Sequence, residues 1–431
     1  MSKLEEIYLD ILHIYRSEIV ATFPEVARRN FYGVSTFEKI INAGSAFLKA
    51  LFVFIVSPFG FQRTDKEVLQ GKHWLYVLGQ NNYHSLKFLN TGDSQFVYVS
   101  PYKYQVQGED IVKAQLPLHF IYMLRHLPTF FSLLWKEKDI RPCWDTAFKG
   151  MGMYESHLAF LKKHQPACIT FSNDHTLEPR AMILAAKKLG IPTFYIQHAC
   201  IRPDFPPLHF SHSFLEGQDS WDKYKRSGPI SGAVSLVGVP RMDSYILRKN
   251  TSTIIRRIGV CSNLLDDIGA IESTLVALSA ALPNAEITYR PHPTDKRTIG
   301  NLASIKLSDS KVVNPFDFLW QQDLIIAGNT SIHYEAAMLD VHAVYHKFGG
   351  QGGTEDMYLF VKNGLVEEAV DTDQLISIIK KKQQQSKEDL SVKAQYYNAV
   401  LGTANEGKSQ KLVINYYTKN NFRTSTLHRN D

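Results

Sequence analysis

Five short segments of this chain hold side chains suited to binding phosphate or moving protons. Gly328-Asn-Thr-Ser-Ile-His-Tyr-Glu335 sets a glycine, Asn329 and two hydroxyl residues directly before a helical pattern. Free N–H groups at such a helix start, together with Asn329 and the Thr330 and Ser331 hydroxyls, suit a phosphate. The same hydroxyls would serve equally as an ordinary N-cap. Glu335 follows Ser331 by about one helical turn, so its carboxylate can share that side and accept from ribose hydroxyls. Tyr289-Arg-Pro-His-Pro293 holds a histidine between two prolines. Fixed in this way, His292 can donate to a phosphate or protonate a leaving group, with Arg290 beside it. Read plainly, the segment is a proline-rich turn in which Arg290 makes a structural ion pair.

The other three segments suit an acceptor or a general base. Ser172-Asn-Asp-His-Thr-Leu-Glu-Pro-Arg180 offers Asp174 and His175 to deprotonate a hydroxyl. Asp174 could instead cap the helix that follows, and Glu178 could pair with Arg180 along it. Gln197-His198 ends the next apolar run, bringing His198 to the same rim as a base or as a histidine bonded to backbone. Ser262-Asn263 closes a further run and reads either as a sugar or phosphate contact or as a generic turn. No Walker loop, GxSxG elbow or HExxH occurs, which excludes P-loop kinases, α/β-hydrolases and zincins. No DxD-like pair sits where a metal would be expected. No metal site is therefore expected, and arginine, histidine and the helix start would have to neutralise phosphate charge.

These segments need strands to carry them. From about Trp74 onward, short apolar runs alternate with amphipathic stretches, the pattern of a parallel α/β sheet. Strands are expected over 74–78, 95–100, 167–171 and 191–196. Helices are expected through 112–165, with 118–135 packed on the sheet, and over 177–189, where Gly190 ends the helix. A second series begins near Arg256, with strands over 257–261, 285–290, 323–327 and 341–346. Helices over 270–281 and through Leu339 accompany it. Each candidate then falls at the carboxyl end of a strand, where open α/β sheets place ligands. The expected division is an acceptor-binding Rossmann-like domain over 1–250 with a helical N-terminal extension, and a donor-binding one over 251–425. A polar linker at 247–253 joins them.

Composition sets outer bounds. The 431 residues are 44% hydrophobic and 21% charged, an ordinary globular balance too long for one core. Cys143, Cys168, Cys200 and Cys261 lie far apart with no CxxC pair. That argues against a zinc site or a disulfide framework and suits a reducing cytoplasm. The formal charge of +6 shows no concentrated basic stripe, so no nucleic-acid partner is expected. Glu5, Glu6 and Asp10 interrupt the N-terminus, which does not read as a signal peptide. The most apolar stretch, 46–61, is broken by Lys49 and Pro58 short of the ~20 residues that cross a bilayer. It reads either as a buried core helix or as an in-plane helix over 47–61, with Lys49 and Arg63 near inner-membrane headgroups. The run 380–387 is a solvated charge cluster, and a frayed tail is expected at the C-terminus.

Arg290-Pro-His-Pro293, paired with the later Gly328-Asn-Thr-Ser331, resembles the HP and S/T motifs of bacterial sialyltransferases and polysialyltransferases. Gln197-His198, with Val237-Gly-Val-Pro-Arg-Met-Asp243 after it, looks like the capsule and CDP-glycerol glycerophosphotransferase branch. The likeness covers about residues 165–350. It implies a GT-B fold, two doubly wound Rossmann-like domains facing a central cleft. It further implies that His292 contacts the nucleotide phosphate and assists its departure, and that Thr330 and Ser331 bind phosphate. The family base lies in the N-terminal domain. Because the sialyltransferase acidic-acidic-glycine triplet is not found, Asp174 or His198 is proposed for that role.

The expected function is inverting, metal-independent transfer from a nucleotide-sugar donor to a glycan or glycolipid acceptor of a bacterial capsule or lipopolysaccharide. A CMP-sugar such as sialic acid or Kdo is favoured as the donor, which is a substrate, so no cofactor is expected. Ser262, Arg290, His292, Asn329, Thr330, Ser331 and Glu335 would hold it. Asp174, His198 and His292 would carry the proton chemistry. The expected location is cytoplasmic, peripheral on the inner membrane face. The alternatives are a UDP-N-acetylglucosamine 2-epimerase-type enzyme, which needs no acceptor, and a CDP-glycerol-type polyol-phosphate transferase. A non-catalytic polysaccharide assembly module is the reading from another class.

Overall fold

The computed structural model describes residues 1–57, 66–90, 95–102, 105–106, 108–300, 303–349, 356–385 and 389–420. The expected anchor residues 58–61 with Arg63, the end of the charge run at 386–387, and 421–425 of the expected second domain lie outside the described residues. Two all-parallel sheets organise the rest. The first contains β1 (His73–Tyr76), β2 (Phe96–Ser100), β3 (Ile111–Lys113), β4 (Cys168–Phe171), β5 (Thr193–Ile196), β6 (His212–Leu215) and β7 (Ala233–Leu236). Their spatial order is β3-β2-β1-β4-β5-β6-β7. The second contains β8 (Arg257–Cys261), β9 (Glu286–Arg290), β10 (Lys306–Leu307), β11 (Leu324–Ala327), β12 (His342–His346) and β13 (Glu367–Ala369). Its order is β10-β9-β8-β11-β12-β13.

The central strands β1, β4, β5, β6 and β11 are buried at every position. Helices cover both faces of a parallel sheet, so its strands read as continuous apolar runs rather than alternating ones. In each sheet the strand order reverses direction once, between β1 and β4 and between β8 and β11. At these switch points Tyr76 pairs with Phe171 and Cys261 with Ala327, so the loops that follow leave from one level. The loops beginning at Ser172, Ser262 and Gly328 therefore open where doubly wound sheets bind ligands.

Several elements depart from expectation. The region 112–165 is not wholly helical, because β3 forms an edge strand at its start. Within it, the stretch 118–135 holds two helices, His119–Arg125 and Leu127–Lys136. Pro128 has no N–H to give to the Leu124 carbonyl and its ring crowds that carbonyl, so the helical run breaks at His126 and resumes with the proline in its first turn. The second domain does not run on to the C-terminus. Helix Ser409–Lys419 returns to the first sheet and buries Val413 and Tyr417 with Leu75, Val77 and Phe194. The Tyr417 and Thr170 hydroxyls lie 2.6 Å apart. On the way, Ala399 N donates to Glu216 O, and Asp219 N donates to Tyr396 O.

The helix carrying the apolar stretch, Thr36–Val56, starts with a capping box between Ser35 and Glu38. The core reading of this stretch fails. Phe37, Leu48 and Phe52 are 71%, 64% and 60% exposed, and only Ala43 and Ala50 are buried. The inner face is held by Asn42, whose Nδ2 donates to Asp145 at 2.9 Å, and by Phe47 and Phe54 against Phe120.

Candidate functional site

The β4 exit loop is built by Asn173. Its Oδ1 accepts from the backbone of His175 and Thr176 and from the Thr176 hydroxyl, starting helix Leu177–Leu189. Asn173 thus shapes the turn before the helix, and the capping considered for Asp174 does not occur: the cap residue is Thr176, with no side-chain capping bond. Asp174 is fully buried, with Oδ2 accepting from Tyr224 at 2.6 Å and Oδ1 bonded to His175 Nδ1 at 2.9 Å. Burial pushes its pKa up, but the His175 hydrogen bond and charge and the Tyr224 hydroxyl hold it below the usual carboxylate range. An ionised carboxylate only accepts, so His175 Nδ1 donates to it, and in a neutral ring Nε2 would carry the lone pair. His175 is the partly exposed member, and its ring lies 4.3 Å from that of Phe205. Both Asp174 oxygens are engaged inside the domain, and of the two groups suited to take a proton here His175 is the partly exposed one.

His198 follows β5 and is bonded to the Ser172 backbone, close enough to His175, Arg241 and Asp174 to feel their charges. Burial lowers its pKa to about 4, so it is neutral at physiological pH, and its Nδ1 has no protein partner. Glu178 and Arg180 do not pair with each other. Glu178 faces His157 at 3.3 Å, and the buried Arg180 binds Asp10 and the Pro207 carbonyl.

In the second domain, loop Gly328–Ser331 precedes the seven-residue helix Ile332–Met338. Asn263 Nδ2 donates to the Asn329 carbonyl at 2.7 Å, and Asn329 Oδ1 accepts from Met357 N. A Cβ on Gly328 would stand 2.9 Å from Asp266 Oδ1, so the close approach of Asp266 requires glycine there. Thr330 and Ser331 are partly exposed, and the Ser331 side chain makes no capping bond. Ser262 is buried with its hydroxyl 2.7 Å from that of Tyr289. Arg290 is also buried, donating to Ser308 Oγ and the Val313 carbonyl and lying over the Phe318 ring. Both are engaged inside the domain, and Arg290 is held by neutral acceptors rather than by the ion pair considered for it. His292 is exposed just beyond β9, with Nδ1 bonded to Thr294. Its described contacts do not reach the Asp174–His175–His198 cluster.

Residues not singled out in the sequence join the two rims. Arg241, inside the Val237–Asp243 segment, donates to Glu216 Oε1 at 2.5 Å, to Glu335 Oε1 at 2.9 Å and to the Tyr334 hydroxyl. Tyr334 also donates to Glu216 Oε2, and Gln197 brackets Glu216 from the other side. Glu335, expected on ribose, thus has one oxygen on the first domain's arginine. Burial raises the pKa of both glutamates, and burial outweighs Arg241 in each. Lys223, paired with Asp219, adds a second tie through the Tyr358 carbonyl. Arg297 donates to the Asp266 and Asn263 carbonyls and to Asp295, fastening the His292 turn to the β8 exit. Asp266 is another residue the sequence reading passed over. Burial raises its pKa to about 7 beside Gly328.

This paired arrangement of sheets and switch-point loops recurs in known structures. The fold is GT-B. UDP-GlcNAc 2-epimerase from Neisseria meningitidis, bound to UDP-GlcNAc, is similar at TM-score 0.50 and 14% identity, covering 80% of this chain and 100% of that one. The wall teichoic acid polymerase TagF matches at 0.53 and 10%, covering 88% and 98%. The glycotransferase of kitacinnamycin matches at 0.51 and 14%, covering 81% and 99%. No family model and no curated protein sequence matches the chain. At these identities the likeness carries the GT-B fold alone.

Proposed function

We propose that this chain is a GT-B transferase moving a glycosyl or polyol-phosphate group from a nucleotide-activated donor to a hydroxyl acceptor of a bacterial surface glycan. The observation that carries the reading is the Asp174–His175 dyad at the switch point of the first domain, a domain that Arg241 ties to the helix following Ser331. His175 Nε2 takes the acceptor proton as the hydroxyl attacks in line with the departing nucleotide, which inverts the reacting centre. Asp174 holds the ring in the required tautomer and stabilises the imidazolium as it forms. His198, neutral beside it, accepts a hydrogen bond from the acceptor. On the donor side, the Thr330 and Ser331 hydroxyls and Asn329 meet phosphate, Glu335 meets the ribose, and His292 swings onto the leaving phosphate. Ser262 and Arg290 support this rim from within. The resemblance at Arg290–Pro293 favoured a CMP-sugar. The structural neighbours add no support for that donor, and a nucleoside-diphosphate donor fits the same residues.

A panel of CMP, CDP, UDP, GDP and their conjugates, read by thermal melting, tests the donor site. One nucleotide class should stabilise the protein by about 2.7 kcal/mol at ~100 times its Kd. Changing both Thr330 and Ser331 to Ala should weaken that binding by about 3–6 kcal/mol, the worth of two hydrogen bonds to a charged group. No stabilisation by any nucleotide, or full stabilisation in the double variant, contradicts the proposed donor site.

A further inference from the structure

We propose that the outward face of helix Thr36–Val56 is a docking surface for an anionic lipid bilayer, with the helix lying in the plane of the membrane. Phe37, Ile40, Ile41, Leu48, Phe52 and Ile55 are all more than half exposed. They recur at helical spacing, so they form one stripe along a helix about 31 Å long at ~1.5 Å per residue. Among the described residues this is the one helix long and apolar enough to cross a membrane. Its inner face forbids crossing. Asn42 is bonded to Asp145, and Phe47 and Phe54 grip Phe120, so the helix cannot enter a bilayer lengthwise without leaving its domain. The helix under it carries exposed Leu118, Ile121 and Leu124 at its margin, which widens the apolar surface.

Charge selects the occupant. Across 36–56 and 118–136 the chain has Lys39, Lys49, Arg125 and Lys136, the last paired with Glu5 at 2.8 Å, against one carboxylate, Glu38, which already faces Arg29 at 3.2 Å. Lys49 and Arg125 are exposed beside the stripe. A second copy of this face would bring like charges together, whereas anionic headgroups meet the cations as acyl chains receive the stripe. Soluble monomers rarely leave so continuous an apolar patch in water. The inference is independent of the chemistry assigned to the cleft.

Sedimentation of the full-length protein with phosphatidylglycerol–phosphatidylcholine vesicles, and with phosphatidylcholine alone, tests it. The protein should pellet with the anionic vesicles, and binding should weaken at high salt as the Debye length shrinks. Leu48→Ser with Phe52→Ser should lower binding by roughly tenfold or more, with an unchanged melting temperature because both side chains are exposed. Lys49→Glu is the second variant, should the first misfold, and should weaken binding to anionic vesicles alone. Protein that stays in the supernatant with every vesicle overturns the proposal. So does a dimer, without vesicle binding, that the Leu48/Phe52 variant dissociates.

Discussion

Asp174 and His175 are adjacent in sequence but opposite in role. The buried acid is held below the usual carboxylate range by the hydrogen bonds it receives, and the partly exposed imidazole turns its Nδ1 to that acid. Asp266 shows burial acting in the reverse sense. Its pKa rises from the ordinary 3.8 to about 7, so below pH 4 the folded and unfolded chains are both protonated there. As pH climbs from 4 through 7 the unfolded chain ionises first, and the stability held by the neutral buried form is lost. Asp266→Asn should therefore gain melting temperature relative to the wild type between pH 5 and pH 8. An identical pH dependence in the two proteins would show that Asp266 is not a neutral buried acid. Much of the placement was readable: the 172–175, 197–198 and 328–331 segments all follow the carboxyl ends of β4, β5 and β11. Tyr224, Glu216, Arg241 and Asp266 were not, because they meet their partners only through the fold. Tyr224 lies 50 positions from Asp174, and Arg241 lies 94 from Glu335.

At the scale of elements, strands were legible in proportion to their burial. β8 matches its expected bounds, and β1, β4, β5, β9, β11 and β12 differ by a residue or two. The strands passed over at the sheet edges are β3, β7, β10 and β13, none of which is buried throughout. β6 was passed over for another reason: it is buried, but His212 and Ser213 disguise it. The Val237–Asp243 segment had no physical role until the last helix was placed. Asp243 accepts from Ser409 N and Gln410 N and so caps helix Ser409–Lys419 from 166 positions away. Gly238 lies at φ +81, with Val400 2.5 Å from where a Cβ would be. Asp243→Ala should cost about 0.5–2 kcal/mol, the usual worth of an N-cap. Amide exchange should speed up in the last helix and on the faces of β1 and β5 it covers. Unchanged protection there would mean that the cap does not hold the crossing segment.

The whole molecule is two sheets clasped by Arg241, whose guanidinium joins Glu216 of the first domain to Glu335 of the second. Arg241→Ala leaves two buried carboxylates facing each other and should cost about 3–5 kcal/mol by chemical denaturation. That loss should shrink at acid pH, since both glutamates have raised pKa values and then become neutral. A pH-independent loss would place the clasp's value in packing instead of charge. The clasp also joins the domain that carries the dyad to the one that carries the proposed donor rim, which is where the account of function rests. The most direct test is nucleotide release from the donor identified by melting, with and without a glycan or glycolipid acceptor, for wild type, His175→Ala and Asp174→Asn. The account predicts that His175→Ala transfers ~10²–10⁴-fold more slowly, with unchanged nucleotide affinity and little change in slow release to water. Asp174→Asn should fall between that variant and the wild type. Transfer by His175→Ala within tenfold of wild type would contradict it.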